Sequence, residues 1–397
     1  MPNWKKCKLE DVATTTTTKI SCSDITSNYI STENMLPDKG GIVAASLLPN
    51  SGNVSIYHKG DVLVSNIRPY FKKIWHATVD GAASNDVIVF HANEGVNSRY
   101  LYYTLADDNF FAYVMTGAKG TKMPRGDKKQ MMLYPVFCPP LEEQKRIAEI
   151  LGAFDDKIEL LQKQNKTLED MAKALFKSWF VDFDVVRAKQ KGLPKADIMR
   201  EYHLTEELYD LFPSSFADSP LGPIPSGWEV KTIQEIAKIS SGKRPQSAQD
   251  QKSLTHNVAV YGGNGIKWWT QTPLYTTPII ITGRVGTLGQ VYRIYNPVWI
   301  SDNALVFETN LDNFEYLFYM LKNVDFSSFN RGSTQPLITQ GDIKNVSLVY
   351  NKGIIKEFHN IVVQYEKKIL LNNKQIQTLT ELRDTLLPRL ISGKIRV

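Results

Sequence analysis

Two long stretches of the chain place apolar residues at alternating steps of four and three. The first runs Ile147, Leu151, Phe154, Ile158, Leu161, Asn165, Leu168, Ala172, Leu175, Trp179. The second runs Ile355, Phe358, Val362, Tyr365, Ile369, Asn372, Ile376, Leu379, Arg383, Leu386, Leu390. Such steps keep one stripe of an α-helix turned toward a partner helix, so both stretches read as heptad seams. Pro139-Pro140 followed by Glu142 and Glu143 marks the start of the first helix, because proline is excluded from helix interiors and acidic groups favour the first turn. Pro388 is expected to interrupt the second. Helices of roughly 35–40 residues would be about 50–60 Å long. Asn165 falls at an a position and Asn372 at a d position. In an antiparallel pair a faces d, so the two are expected to meet and fix register at some cost in stability; the alternative is that each faces solvent at a splayed seam. Leu160, Met171 and Phe176 lie off the first stripe and need cover from the chain's own domains or from a partner.

Outside these stretches the pattern is written twice, with a period a little over 210 residues. Trp4 opens WKKCKLEDVA and Trp228 opens WEVKTIQEIA, each followed by apolar positions at helical spacing. Strand-like runs come next, Asp61 to Ser65 and Thr277 to Thr282, then Asp86 to Phe90 and Ala304 to Phe307. Tyrosine-rich helical segments follow, Tyr100 to Ala106 and Tyr316 to Lys322, and then a polar loop containing glycine. A period this long is not a solenoid. It predicts an α+β fold in which two similar domains, a pseudo-twofold internal repeat, are joined by two long helices forming an antiparallel coiled coil.

Composition narrows the function. A length of 397 residues suits two or three domains. The net charge of +6 permits a nucleic-acid partner without requiring one. Cys7, Cys22 and Cys138 are odd in number and form no CxxC pair, which argues against a disulfide framework and a zinc site; the histidines lack HExxH spacing. No apolar run approaches a membrane span and no secretory signal is legible, so no membrane partner and a cytoplasmic location are expected.

Two similar heads on a stiff spacer suit a target with two separated sites, and successive major-groove faces of B-DNA lie about 34 Å apart. The heads differ in sequence, so double-stranded DNA with a split, asymmetric target is the expected partner. In the first head the candidate contacts are Arg68, Lys72 and Lys73, interleaved with Tyr70, Phe71 and Trp75, and the cluster Lys119, Lys122, Arg125, Lys128 and Lys129. In the second they are Lys243 and Arg244 after Gly242, Lys267 beside Trp268 and Trp269, then Arg284, Arg293 and Arg331. Lysine and arginine neutralise phosphates, and arginine also reads guanine bidentately.

Several phrases together resemble the specificity subunits of type I restriction-modification systems (HsdS). They are Ser65 to Lys73 (SNIRPYFKK), Pro139 to Leu151 (PPLEEQKRIAEIL), Ala174 to Asp184 (ALFKSWFVDFD), Leu221 to Val230 (LGPIPSGWEV), Gly332 to Leu337 (GSTQPL) and Leu386 to Val397 (LLPRLISGKIRV). The resemblance implies target recognition domains at 1–140 and 225–350, a conserved central long helix at 141–184, a linker at 185–224 and a conserved C-terminal long helix at 351–397. It implies two methyltransferase subunits docked on the scaffold, methylating adenine N6 from S-adenosylmethionine, and nuclease/translocase subunits using ATP and Mg. It implies no cofactor, metal or catalytic residue on this chain. The loop GTKMPRG (Gly120 to Gly126) stands where the second head has GSTQPLI, so the two loops correspond only loosely in sequence.

Enzymatic motifs point the same way. Asn296-Pro297-Val298-Trp299 lacks the second proline of an amino-methyltransferase motif and reads as a turn. Gly283, Gly286 and Gly289 precede VYRIY, which alternates like a strand, so they read as a hairpin and not a dinucleotide fingerprint. No GxxxxGK[ST] loop is present. Asp182 and Asp184 close a helix without further ligands, and Thr14 to Thr18 carries no chemistry. The remaining alternatives are a coiled-coil scaffold without DNA affinity and a self-contained methyltransferase.

Overall fold

The structure, a computed structural model, describes residues 4–25, 28–285, 288–329 and 337–397. It divides into one unit of Met1–Gln162 with Asn372–Val397 and another of Lys163–Leu371. Among the described residues no helix is long and apolar enough to cross a membrane.

In the first unit, strand Lys5–Lys8 pairs antiparallel with Pro135–Cys138. The helical spacing after Trp4 yields only one turn, Leu9–Val12, which Asp11 closes by accepting from the Lys8 backbone N–H at 2.8 Å. A four-stranded sheet follows in the order Ala13–Thr15, Val87–Ala92, Val62–Ser65, Ile74–His76, all neighbours antiparallel. Both faces of this sheet are covered, which is why Val62-Leu63-Val64 is an unbroken apolar run. Val62, Val64, Ile88 and Phe90 pack with helices Ser98–Ala106 and Asp108–Thr116. Leu63, Val87 and Val89 pack instead with Tyr57 and Ala83 of a second four-stranded sheet.

The second unit repeats the frame. Strand Glu229–Thr232 pairs with Ser347–Tyr350, a single turn Ile233–Ile236 is capped by Glu235, and the sheet runs Ala237–Ser241, Ala304–Thr309, Ile279–Gly283, Val291–Ile294. Ile279–Gly283 and Val291–Ile294 form the hairpin expected from the glycines. Helix Leu311–Asn323 covers one face; the other meets a three-stranded sheet in place of four. Residues 185–224, expected as a connector, are packed: they hold helices Asp184–Gln190, Lys195–Glu201 and Glu206–Leu211, and Val185, Val186, Ile198 and Phe212 sit in the core of this unit.

Each long helix has 40 residues, Leu141–Phe180 and Lys352–Ile391. In the first unit Ile147, Ala148 and Leu151 share a core with Leu387, Leu390 and Ile391. In the second, Phe176, Trp179 and Phe180 share one with Ile354, Phe358 and Val362. Start meets end in both, so the helices form an antiparallel coiled coil. Every seam position, Ile147 through Trp179 and Ile355 through Leu390, is buried or half-buried, including Asn165 and Asn372.

Three further expectations change. Pro388 does not interrupt the second helix, which continues to Ile391: a proline this near the end removes a single ladder bond. Cys7 and Cys138 are joined as a disulfide, because strand pairing brings together residues that are 131 apart in sequence. Asp182 and Asp184 do not close the helix; Asp182 follows it and takes the Lys177 ammonium, and Asp184 opens the next helix. Among the described residues no His, Cys, Asp and Glu group could hold a metal ion. Phe176 is covered from within, by Tyr316, Tyr319 and Phe358, whereas Leu160 and Met171 stay half exposed.

Candidate nucleic-acid interface

In the first head two loops are hydrogen-bonded to each other at the end of the main sheet. One leaves strand Val62–Ser65 and carries Arg68, Lys72 and Lys73; the other spans 117–127 and carries Lys119, Lys122 and Arg125. The Arg68 N–H donates to Pro124 O at 2.8 Å and the Gly126 N–H to Asn66 O at 3.2 Å. Lys119 and Arg125 exchange both backbone bonds, which closes the second loop and turns Lys122 and Met123 outward. The first loop is a turn Pro69–Phe71 flanked by Arg68 and Lys72, each with φ near 50°. Left-handed backbone at non-glycine residues is tolerated where surrounding contacts fix it, and here they do.

Those contacts divide the basic residues. Lys72 donates to Asp108 Oδ2 at 2.8 Å, and Lys39 approaches Oδ1 of the same carboxylate at 3.0 Å. Burial pushes the Asp108 carboxyl up, but the two ammonium groups outweigh it and hold it below its ordinary value. Lys73 donates to Thr32 O at 2.6 Å, and burial lowers its pKa. Lys72 and Lys73 therefore fix the loop. Lys119, Lys122, Arg125 and Lys128 are exposed; Arg125 rests against Asp86 at 3.3 Å, and Lys128 opens a short helix capped by Asp127.

The second head repeats the loop pair in the same register. The Arg284 N–H donates to Asn303 O, as the Asn66 N–H does to Asp86 O, and the Ile338 N–H donates to Arg284 O, as the Gly126 N–H does to Asn66 O. Bridges Ile67–Arg125 and Val285–Leu337 match as well. The loops GTKMPRG and GSTQPLI, loosely matched in sequence, therefore coincide in backbone at their C-terminal ends. Arg331 and Gly332 to Pro336 lie outside the described residues, as do Gly286 and Thr287. Arg284 donates to Ser241 Oγ at 3.3 Å, next to Gly242. A Cβ on Gly242 would lie 2.2 Å from Ser301 O, so only glycine lets the chain pass here and turn Lys243 and Arg244 out to solvent. Lys267 lines a cleft of ≈ 330 Å³ with Gly262 to Ile266, Val285 and Asn303. Arg293 does not belong to this surface: it is buried between Glu315 and Glu366. Sequence reasoning missed Asp86 and Asn303, whose only signal is that each directly precedes the central strand of its head.

Comparison with known proteins agrees with this architecture. The family model for the type I restriction modification DNA specificity domain matches residues 1–170 and 225–381. The type I restriction enzyme MjaIX specificity subunit of Methanocaldococcus jannaschii is 27% identical over 372 residues, covering 87% of this chain and 80% of that protein. The HindI specificity subunit of Haemophilus influenzae is 26% identical over the full length of both. The crystal structure of a type I restriction-modification S subunit from M. genitalium superposes with a TM-score of 0.60, covering 98% of this chain and 96% of that one at 16% identity, a likeness of fold. With the family model matched once on each head and its adjoining helix, the chain belongs to the type I restriction-modification DNA specificity family.

Proposed function

We propose that this chain is the DNA-reading subunit of a type I restriction-modification complex and reads a split target, one half-site per head. The observation that carries the reading is the repeated loop pair. Two heads share one backbone frame down to individual hydrogen bonds, yet each puts different side chains on it. A frame repeated with changed side chains suits two unlike half-sites, and the two long helices then set the gap between them. Exposed Lys119, Lys122, Arg125 and Lys128 in the first head, and exposed Lys243, Arg244 and Lys267 with half-buried Arg284 in the second, meet phosphates and base edges. Arg331 completes the set by its sequence position. Adenine-N6 methylation then comes from two docked methyltransferase subunits carrying S-adenosylmethionine, and restriction from nuclease/translocase subunits carrying ATP and Mg. The chain itself acts by binding, in the cytoplasm.

The test is selection of bound duplexes from a randomised pool by the purified full chain. A two-part motif with unlike halves, bound with a negative salt slope, is expected. Lys122→Ala with Arg125→Ala should degrade the first half only. A chain that enriches no motif, or loses both halves equally, refutes the reading.

A further inference from the structure

We infer that Asp86 is a positioning residue for base readout by the first head, acting through Arg125. The inference rests on the DNA-reading assignment above. Arg125 lies on the outward loop with its guanidinium 3.3 Å from Asp86 Oδ1, and both side chains are partly open to solvent. A carboxylate on a surface that meets polyphosphate weakens general attraction. It serves readout instead, because it holds the planar fork of the arginine in one orientation, and bidentate recognition of guanine depends on orientation.

The second head supplies the internal comparison. Asn303 occupies the backbone place of Asp86, and Leu337 that of Arg125. Acid and arginine are thus exchanged together, as expected of a working pair. The second head still brings an arginine to this corner, from the opposite wall: Arg284 stands in the place of Asn66, and Ser241 Oγ holds its guanidinium. Asn303 lines an open cleft there. Among the described residues each head therefore brings a held arginine to the same corner, Arg125 against Asp86 and Arg284 against Ser241, from different loops, and this is a concrete reason for unlike half-sites.

Asp86→Asn is a conservative test, because asparagine already occupies this place in the second head. In the duplex selection with the full chain, Asp86→Asn should flatten the preference at one base position of the first half-site by about 10-fold. The second half should be untouched, and binding to random duplex should be stronger. Arg125→Leu should flatten the same position, and Asp86→Asn should then flatten it no further. An unchanged motif in Asp86→Asn, a change in the second half, or a further loss of base preference when Asp86→Asn is added to Arg125→Leu would each overturn the assignment. Absence of any motif with the wild-type chain would instead refute the DNA-reading function, so the two failures are distinguishable.

Discussion

Arg293 and Arg383 count toward the basic excess, yet neither offers its charge to solvent. The Arg293 guanidinium binds Glu315 at 2.7 Å and also Glu366, and Tyr295 donates to the other oxygen of Glu315 at 2.5 Å. In the first unit Arg383 binds Asp155 at 2.7 Å, and Tyr103 donates to the same carboxylate at 2.6 Å. Asp155 and Glu366 stand equally far from the starts of their helices, and each head is tied to its long helix there, by Tyr103 to half-buried Asp155 and by Arg293 to buried Glu366. The partners of Arg293 are 22 and 73 residues away in sequence, which is why its neighbourhood reads as surface until the chain is folded. Removing one partner of a buried ion pair strands the others. Arg293→Met should therefore lower the stability of the second unit by about 3–5 kcal/mol, read from urea unfolding. A loss under 1 kcal/mol would mean that the carboxylates find water or protons instead.

At the scale of elements, the seams were the most legible feature, because a 3.5-residue period needs no knowledge of distant partners. Asn165 and Asn372 break the apolar rule at two of these positions and are buried all the same, at 9% and 0% exposure. Polar groups inside a seam specify register at the expense of stability. The double change Asn165→Leu and Asn372→Leu should raise the melting temperature of the full chain while making the helix pair more susceptible to limited proteolysis; a fall in melting temperature would refute the pairing expected from the sequence. Other elements were harder to read because their determinants are not local. The helical spacing after Trp4 and Trp228 gave one turn, since strand pairing with Pro135–Cys138 and Ser347–Tyr350 captures the flanking residues. The proline-rich 185–224 segment suggested a connector, yet its apolar residues are spaced to fill a core that includes Trp228 and Phe358. The basic clusters were legible as clusters. Which of them fix the loop was not, because Lys72 and Lys73 are claimed by Asp108 and by the Thr32 carbonyl.

Over the whole molecule, the two units carry buried titratable groups of opposite sense. In the first, burial lowers the His76 pKa from 6.5 to about 4, with Arg99 adding repulsion and Asp61 opposing it. Its folded form binds fewer protons than the unfolded chain, so the stability His76 contributes is present above pH 6.5 and is lost as pH falls toward 4. In the second unit, burial raises the Glu366 carboxyl from 4.5 to about 7. Arg293 and Lys322 pull it down, and Glu315 and Glu169 push it up; one buried arginine shared by two carboxylates leaves an unbalanced negative charge. Here the folded form binds more protons, so stability falls as pH rises from about 4.5 to 7 and recovers on acidification. Between pH 7.5 and 5.5 the units should therefore move in opposite directions. Amide hydrogen exchange, corrected for intrinsic rates, resolves them separately. Strands Val62–Ser65 and Val87–Ala92 should lose protection at pH 5.5, while strand Ala304–Thr309 and helix Leu311–Asn323 gain it. His76→Gln should abolish the first change and Glu366→Gln the second, the amide still accepting from Arg293. Protection that shifts the same way in both units, or survives both substitutions, would assign the acid response to the exposed carboxylates shared by the whole surface and not to these two buried groups.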